Sequence, residues 1–126
     1  YKDRMKFRLA ETYLLLAEAY LRQDMPDKAA DAVNEVRRRA KVSDVSDEEM
    51  TMDFLLDERI RELYGEESRR FTLVRTGKLL ERVRKYNPEA RDLIQDFHVL
   101  WPIPQAIRDA NVGNFPQNPG YEGYEG

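Results

Sequence analysis

Carboxylates placed four residues apart on one stretch of the chain are its strongest candidates for chemistry. Glu58, Glu62 and Glu66 follow one another at this interval, and Asp57 lies beside the first of them. A glycoside hydrolase needs two carboxyl groups across a bound sugar, one as acid and one as base. Arginines at neighbouring positions keep these carboxylates ionised, because a nearby cation stabilises the charged form. The pattern therefore predicts no catalytic residue and no enzyme activity.

The three glutamates need cations between them, because like charges on one helix face repel one another. Arginines of the same stretch, and of the segment that follows Gly65, can supply those cations as bidentate partners. Apolar residues such as Leu73 and Val74 would draw that second segment inward. We interpret the cluster as a structural polar network with the members Glu58, Arg59, Glu62, Glu66, Arg70 and Arg75. The alternative is a solvated charged face with weak surface pairs.

Helices are the elements predicted to position these side chains, and the fold class is all-α. Leu56, Ile60, Leu63 and Tyr64 form an apolar stripe at helical spacing. Either a capping box of Ser46 and Glu49 or a cap at Thr51 begins this helix. We predict helices at about 52–64, 67–75 and 78–86.

A helical hairpin is predicted over residues 8–40. Its first helix is apolar on almost every side, and Pro26 opens the second. The pair fits one tetratricopeptide-type repeat through the spacing of its large, small and aromatic residues: Tyr13, Leu16, Ala17, Tyr20, Ala29 and Val33. An ordinary helical hairpin would also place alanines where the two axes approach.

The C-terminal part, residues 97–126, is predicted to be an extended, proline-rich segment with turns. Trp101 and Ile103 each precede a proline, which favours a stiff, extended backbone. This context fixes the direction of Trp101, and we interpret its ring as a buried structural anchor rather than a sugar-stacking platform. Asn118-Pro119-Gly120 has the residues of a type II turn.

Composition excludes several other functions. The 126 residues make one domain or part of one, with 36 % charged residues and a net charge of −3. This balance argues against nucleic acid as a partner, and the basic cluster Arg37–Arg39 is interpreted as a solvated helix face. His98 is the sole histidine and cysteine is absent, so that the sequence predicts no metal site and no cofactor.

Several motifs together resemble the SusD/RagB family of glycan-binding lipoproteins on the outer membrane of Bacteroidetes. The first is the run Leu-Asp-Glu-Arg-x-Arg-Glu-Leu-x-Gly-Glu at residues 56–66, followed by Arg70-Phe71 and Arg75-Thr76-Gly77. The helical pair from Arg8 to Ala40, the run Leu-Trp-Pro-Ile-Pro-Gln at 100–105 and the run Gln-Asn-Pro-Gly-Tyr at 117–121 also fit the family, in the right order.

The resemblance implies that residues 1–126 are the C-terminal domain of a longer protein. It would capture an oligosaccharide at the cell surface and pass it to a SusC-type TonB-dependent transporter. The segment itself would be scaffold, with the ligand-binding residues outside it and the membrane reached only through an upstream lipid anchor. The alternative function is a tetratricopeptide-like interaction module that binds a peptide or protein partner.

Overall fold

The computed structural model of the chain describes residues 7–124, and this part is helical without any β-strand. Its α-helices are α1 (Leu9–Leu21), α2 (Pro26–Arg39), α3 (Met52–Glu62), α4 (Arg69–Arg75), α5 (Leu79–Tyr86) and α6 (Gln105–Asp109), and a 3₁₀ helix spans Asp96–Val99. The chain forms two compact units. The first, Tyr1–Glu67, contains α1 to α3, and the second, Ser68–Gly126, contains the other helices. The all-α prediction is confirmed, whereas a single domain over 1–126 stays a prediction.

The first unit is built on the hairpin of α1 and α2. Asp24 adopts a left-handed conformation (φ 58°), which Asp tolerates better than most residues, and it turns the chain between the helices. Pro26 then occupies the first turn of α2, where its missing N–H costs nothing. Ala17 and Ala29 are both completely buried, as expected for small residues that let two helices approach closely.

The core of the first unit continues from the hairpin into the loop before α3. Leu14, Val33 and Leu55 are completely buried within one cluster. Asn34, also buried, ties the loop down: its Nδ2 donates to the carbonyl of Val45 (3.0 Å), and the Val45 N–H donates to its Oδ1 (2.8 Å). This side chain replaces a backbone partner for a buried loop residue.

Both caps considered at the start of α3 are present, at different places. Ser46 and Glu49 exchange hydrogen bonds, with each side chain accepting from the other's backbone N–H at 3.3 Å. Thr51 is the N-cap of α3 itself, and its Oγ1 accepts from the N–H of Phe54 (3.2 Å).

The extended, proline-rich segment predicted over residues 97–126 is not confirmed. The 3₁₀ helix occupies its beginning, because Gln95 and His98 exchange side-chain hydrogen bonds with each other's backbone. α6 follows Pro104 and is supported by a hydrogen bond from Gln105 Nε2 to Asp109 Oδ1 (2.6 Å). Local side-chain bonds therefore fold a stretch that the prolines alone would leave extended; its last two residues, 125 and 126, lie outside the described part.

Between residues 7 and 124, no helix has both the length and the apolar character needed to cross a membrane.

Candidate functional site

Glu58 sits between two arginines in the first unit. Its Oε2 accepts from Arg37 Nη1 (2.8 Å) in the last turn of α2 and from Arg61 Nη1 (3.0 Å) one turn along α3. The side chains of Glu58 and Arg37 are only 9 % and 12 % exposed. Arg37 also lies over the ring of Phe54, with 5.4 Å from its Cζ to the ring centroid. This partly desolvated pair joins α2 to α3.

Glu62 joins three segments of the first unit. Its Oε1 accepts from Arg39 Nη2 (2.6 Å) at the end of α2 and from Arg8 Nη1 (2.8 Å) just before α1. Arg8 also donates through Nη2 to the Glu62 carbonyl (2.8 Å) and through Nε to Glu66 Oε2 (2.6 Å). The Arg8 guanidinium therefore fixes the start of α1 against the end of α3.

These bonds keep Arg8 charged. Hydrogen bonds to Glu66 and then to Glu62 raise the pKa of Arg8 above its ordinary value. A raised folded-state pKa gives stabilisation that is complete below the unfolded-state pKa and is lost only as the pH rises through the folded-state value. The contribution of Arg8 is therefore constant at physiological pH and provides no pH switch.

Arg59 is the most deeply buried charged residue among the described residues of the first unit, with 1 % of its surface exposed. Its Nε and Nη2 bind Glu67 Oε1 at 2.7 and 2.6 Å, and Glu11 lies 4.0 Å from Nη2. The Glu67 side chain is itself only 5 % exposed. A buried pair of this kind strongly resists the loss of one partner, because the other charge would remain in a medium that solvates it poorly.

The structure places four of the six predicted network residues, Glu58, Arg59, Glu62 and Glu66, in this set of ion pairs. Sequence reasoning missed Arg8, Arg37 and Arg39 as cations. The sequence carries a signal for two of these cations, the basic cluster Arg37–Arg39, although its pattern favours a solvated helix face. Arg37 instead turns inward to Glu58 and Arg39 reaches Glu62.

The other two predicted network residues, Arg70 and Arg75, lie on α4 in the second unit. The Nη2 of Arg70 donates to the backbone carbonyls of His98 and Leu100. Its guanidinium also lies over the indole of Trp101, with 4.8 Å from Cζ to the ring centroid. Arg70 is therefore linked to the backbone around Trp101.

Trp101, expected as a buried anchor, is 59 % exposed. The surrounding side chains hold its backbone instead. Asn118 Nδ2 donates to the Trp101 carbonyl (2.7 Å), and the Tyr121 hydroxyl donates to the Leu100 carbonyl (2.9 Å). Gln117, which is buried, binds both the N–H and the carbonyl of Ile103, at 2.7 and 2.9 Å. The run of residues 100–103 is thus fixed by side chains of residues 117–121.

Two hollows are further candidates for binding. One, of about 410 Å³ between α1 and α2, is lined by Tyr13, Leu16 and Tyr20 from α1 and by charged residues of α2. The other, of about 250 Å³ in the second unit, is lined by Arg70, Ala90, Leu93, Ile94 and His98. Within residues 7–124, no three His, Cys, Asp or Glu side chains are grouped to hold a metal ion.

A family profile and the similar proteins of known sequence all point to one family. A profile of the SusD family matches residues 2–121. The starch-binding protein SusD of Bacteroides thetaiotaomicron is 36 % identical over 92 % of this chain and 21 % of its own length. SusD-like protein P25 of Formosa agariphila is 35 % identical over 81 % of this chain, again 21 % of its own length. No solved structure matches the chain.

The geometry defines an all-α protein in which ion pairs between glutamates and arginines join α1, α2 and α3. The profile and the relatives identify its family: this chain belongs to the SusD family. The resemblance read from its motifs is confirmed. The chain spans about a fifth of the length of the curated relatives that it matches.

Proposed function

We propose that the chain is the scaffold part of a cell-surface protein that captures an oligosaccharide. The observation that carries this proposal is the family match over residues 2–121, together with a starch-binding relative that is similar over 92 % of the chain. A relative that binds starch makes a saccharide the best-supported ligand class. The full-length protein would bind the glycan and release it unchanged.

The ion pairs of the first unit support a binding rather than a hydrolytic role. Glu58 and Glu62 each accept hydrogen bonds from two arginines, so that both side chains are used to join segments of the first unit. A hydrolase requires one carboxyl group that can donate a proton. The glutamates are therefore suited to holding α1, α2 and α3 together.

We further infer that the full-length protein is an outward-facing lipoprotein of the outer membrane, anchored through a lipid outside residues 1–126. Its partner would be a SusC-type TonB-dependent transporter, which receives the oligosaccharide. The interaction-module alternative is not favoured, because one family profile covers the hairpin and the second unit together. In this proposal the hairpin serves as part of the scaffold.

Affinity electrophoresis of the full-length protein tests the proposal. Gels would contain soluble starch, alginate or a sulfated galactan, and a reducing-sugar assay would follow the same mixtures. We expect at least one polysaccharide to retard the protein, with no reducing sugar released. Migration unaffected by every polysaccharide would contradict glycan capture, and release of reducing sugar would contradict the non-catalytic role.

A further inference from the structure

The backbone around Trp101 is held more firmly than an exposed loop requires. Four side chains of the second unit bind it at three of its residues: Arg70 and Tyr121 at the Leu100 carbonyl, Asn118 at the Trp101 carbonyl and Gln117 at both polar groups of Ile103. Pro102 and Pro104 restrict it further. A binding contact that is fixed in advance loses less conformational entropy when its ligand arrives.

The ring carried by this backbone faces solvent on much of its surface. Trp101 is 59 % exposed, and the Arg70 guanidinium covers part of the indole at 4.8 Å. This cation–π contact orients the ring without burying it. A fixed and exposed indole offers a flat surface to a ligand. A ligand packed on this indole would remove a large apolar area from contact with water.

Arg70 adds an uncompensated positive charge at this surface. Its Nη2 donates to two neutral carbonyls, and its Nε is buried without a hydrogen-bond partner. In the part of the chain that the structure describes, no carboxylate pairs with it, in contrast to the arginines of the first unit. An arginine without a carboxylate favours an anionic or acceptor-rich ligand, since a charge-assisted hydrogen bond is stronger than a neutral one.

We propose that Trp101 and Arg70 form a binding contact for an acidic saccharide, a sugar residue that carries a carboxylate or a sulfate. The C–H face of the pyranose packs on the indole, and the anionic group is attracted to the Arg70 guanidinium. A hollow of about 250 Å³ is lined by Arg70, Leu93, Ile94 and His98, so that there is open space next to the Arg70 side chain. This inference rests on the proposed glycan-binding function and gives it a ligand class and two contact residues.

Variants of the full-length protein test the contact. Affinities for soluble starch, alginate (a polymer of uronic acids) and a sulfated galactan would be measured by affinity electrophoresis and calorimetry at two salt concentrations. Trp101→Ala should weaken binding of one acidic polymer about tenfold, because a stacked aromatic is lost. Trp101→Phe keeps a flat ring and should stay within about threefold of the wild type. Arg70→Gln should weaken binding and flatten its dependence on salt.

Tyr86→Ala is the matched control. Tyr86 is 55 % exposed, and the cations of Arg82 and Lys85 lie over its ring. It is the last residue of α5, and its backbone is not held by side chains in the way found at Trp101. This variant should bind like the wild type. Circular dichroism of each variant identifies any that fails to fold, and Trp101→Phe then decides between lost stacking and lost structure.

The outcomes separate this inference from the function on which it rests. Tenfold weaker binding by Trp101→Ala, with Tyr86→Ala unchanged, supports the contact. Alginate or galactan binding that Trp101→Ala leaves intact overturns it, although the proposed function stands. Retardation by starch alone also overturns the acidic assignment. If no polysaccharide retards the wild type, the proposed function itself fails.

Discussion

The two units of this chain hold their conformation by different means. In the first, a continuous set of apolar side chains is buried and its inward-facing carboxylates are paired with arginines. Among the described residues of the second, Leu73 and Leu79 are the buried hydrophobic side chains, and several large apolar residues stay exposed. The second unit relies on side chains that bind its backbone, such as Gln117 at Ile103.

This difference predicts that substitutions will act differently in the two units. Burial of apolar area contributes most of the stability of a small fold, at about 25 cal/mol per Å². Hydrogen bonds contribute less net stability but impose a particular geometry. We therefore expect substitutions in the first unit to change global stability, and those in the second to change local order and binding.

The largest effect is expected at the buried ion pair of Arg59 and Glu67. Glu67→Ala should cost about 3–5 kcal/mol, because it leaves the Arg59 guanidinium buried without its main partner. Urea denaturation would measure the loss. Glu66→Ala is the control, with a side chain 42 % exposed, and it should cost less than about 1 kcal/mol. Equal losses in the two variants would show that burial does not distinguish the pairs.

Gly120→Ala should cause the largest loss in the second unit, roughly 2–3 kcal/mol. Gly120 has a φ of 86°, and an added Cβ would lie 2.3 Å from Cγ of Phe97, too close for real atoms. Gly77→Ala is the matched control, since its φ is 71° but nothing lies within 4 Å of the added Cβ. A thermal melt of both variants separates backbone strain from the clash, and equal melting temperatures would contradict the close packing on Phe97.

Each unit has a buried side-chain amide that binds both backbone polar groups of a single residue, and replacing these two amides compares the units directly. Asn34→Leu and Gln117→Leu each leave backbone groups unsatisfied, at about 1–2 kcal/mol per variant. Hydrogen exchange should show faster exchange throughout the first unit for Asn34→Leu. For Gln117→Leu the faster exchange should be confined to amides near Ile103. If Gln117→Leu accelerated hydrogen exchange throughout the second unit, this unit too would unfold as one cooperative structure.

The smallest stability effect is expected at Trp101. Trp101→Ala should cost less than about 1 kcal/mol, because its ring is already 59 % exposed. Leu14→Ala, at a completely buried site, should cost about 2–5 kcal/mol and calibrates the measurement. A loss of about 3 kcal/mol from Trp101→Ala would instead favour the buried anchor predicted from the Leu-Trp-Pro-Ile-Pro context.

The sequence by itself determined the helical class, the hairpin and the family, and it narrowed the start of α3 to two caps. These features depend on interactions within a few residues, or on motifs in a fixed order. Apolar periodicity places a helix face, and a threonine hydroxyl reaches a backbone N–H three residues along the chain. The spacing of Glu58 and Glu62 likewise placed both carboxylates on one edge of α3.

The tertiary structure alone decided which cations meet those carboxylates. An arginine side chain is long, and its head reaches several positions, so that its partner depends on how neighbouring helices cross. The packing of α1, α2 and α3 selected Arg8, Arg37 and Arg39 for Glu58 and Glu62. Exposure at Trp101 was decided in the same way. The prolines restrict its backbone locally, but whether the ring is covered depends on residues distant in sequence, such as Arg70.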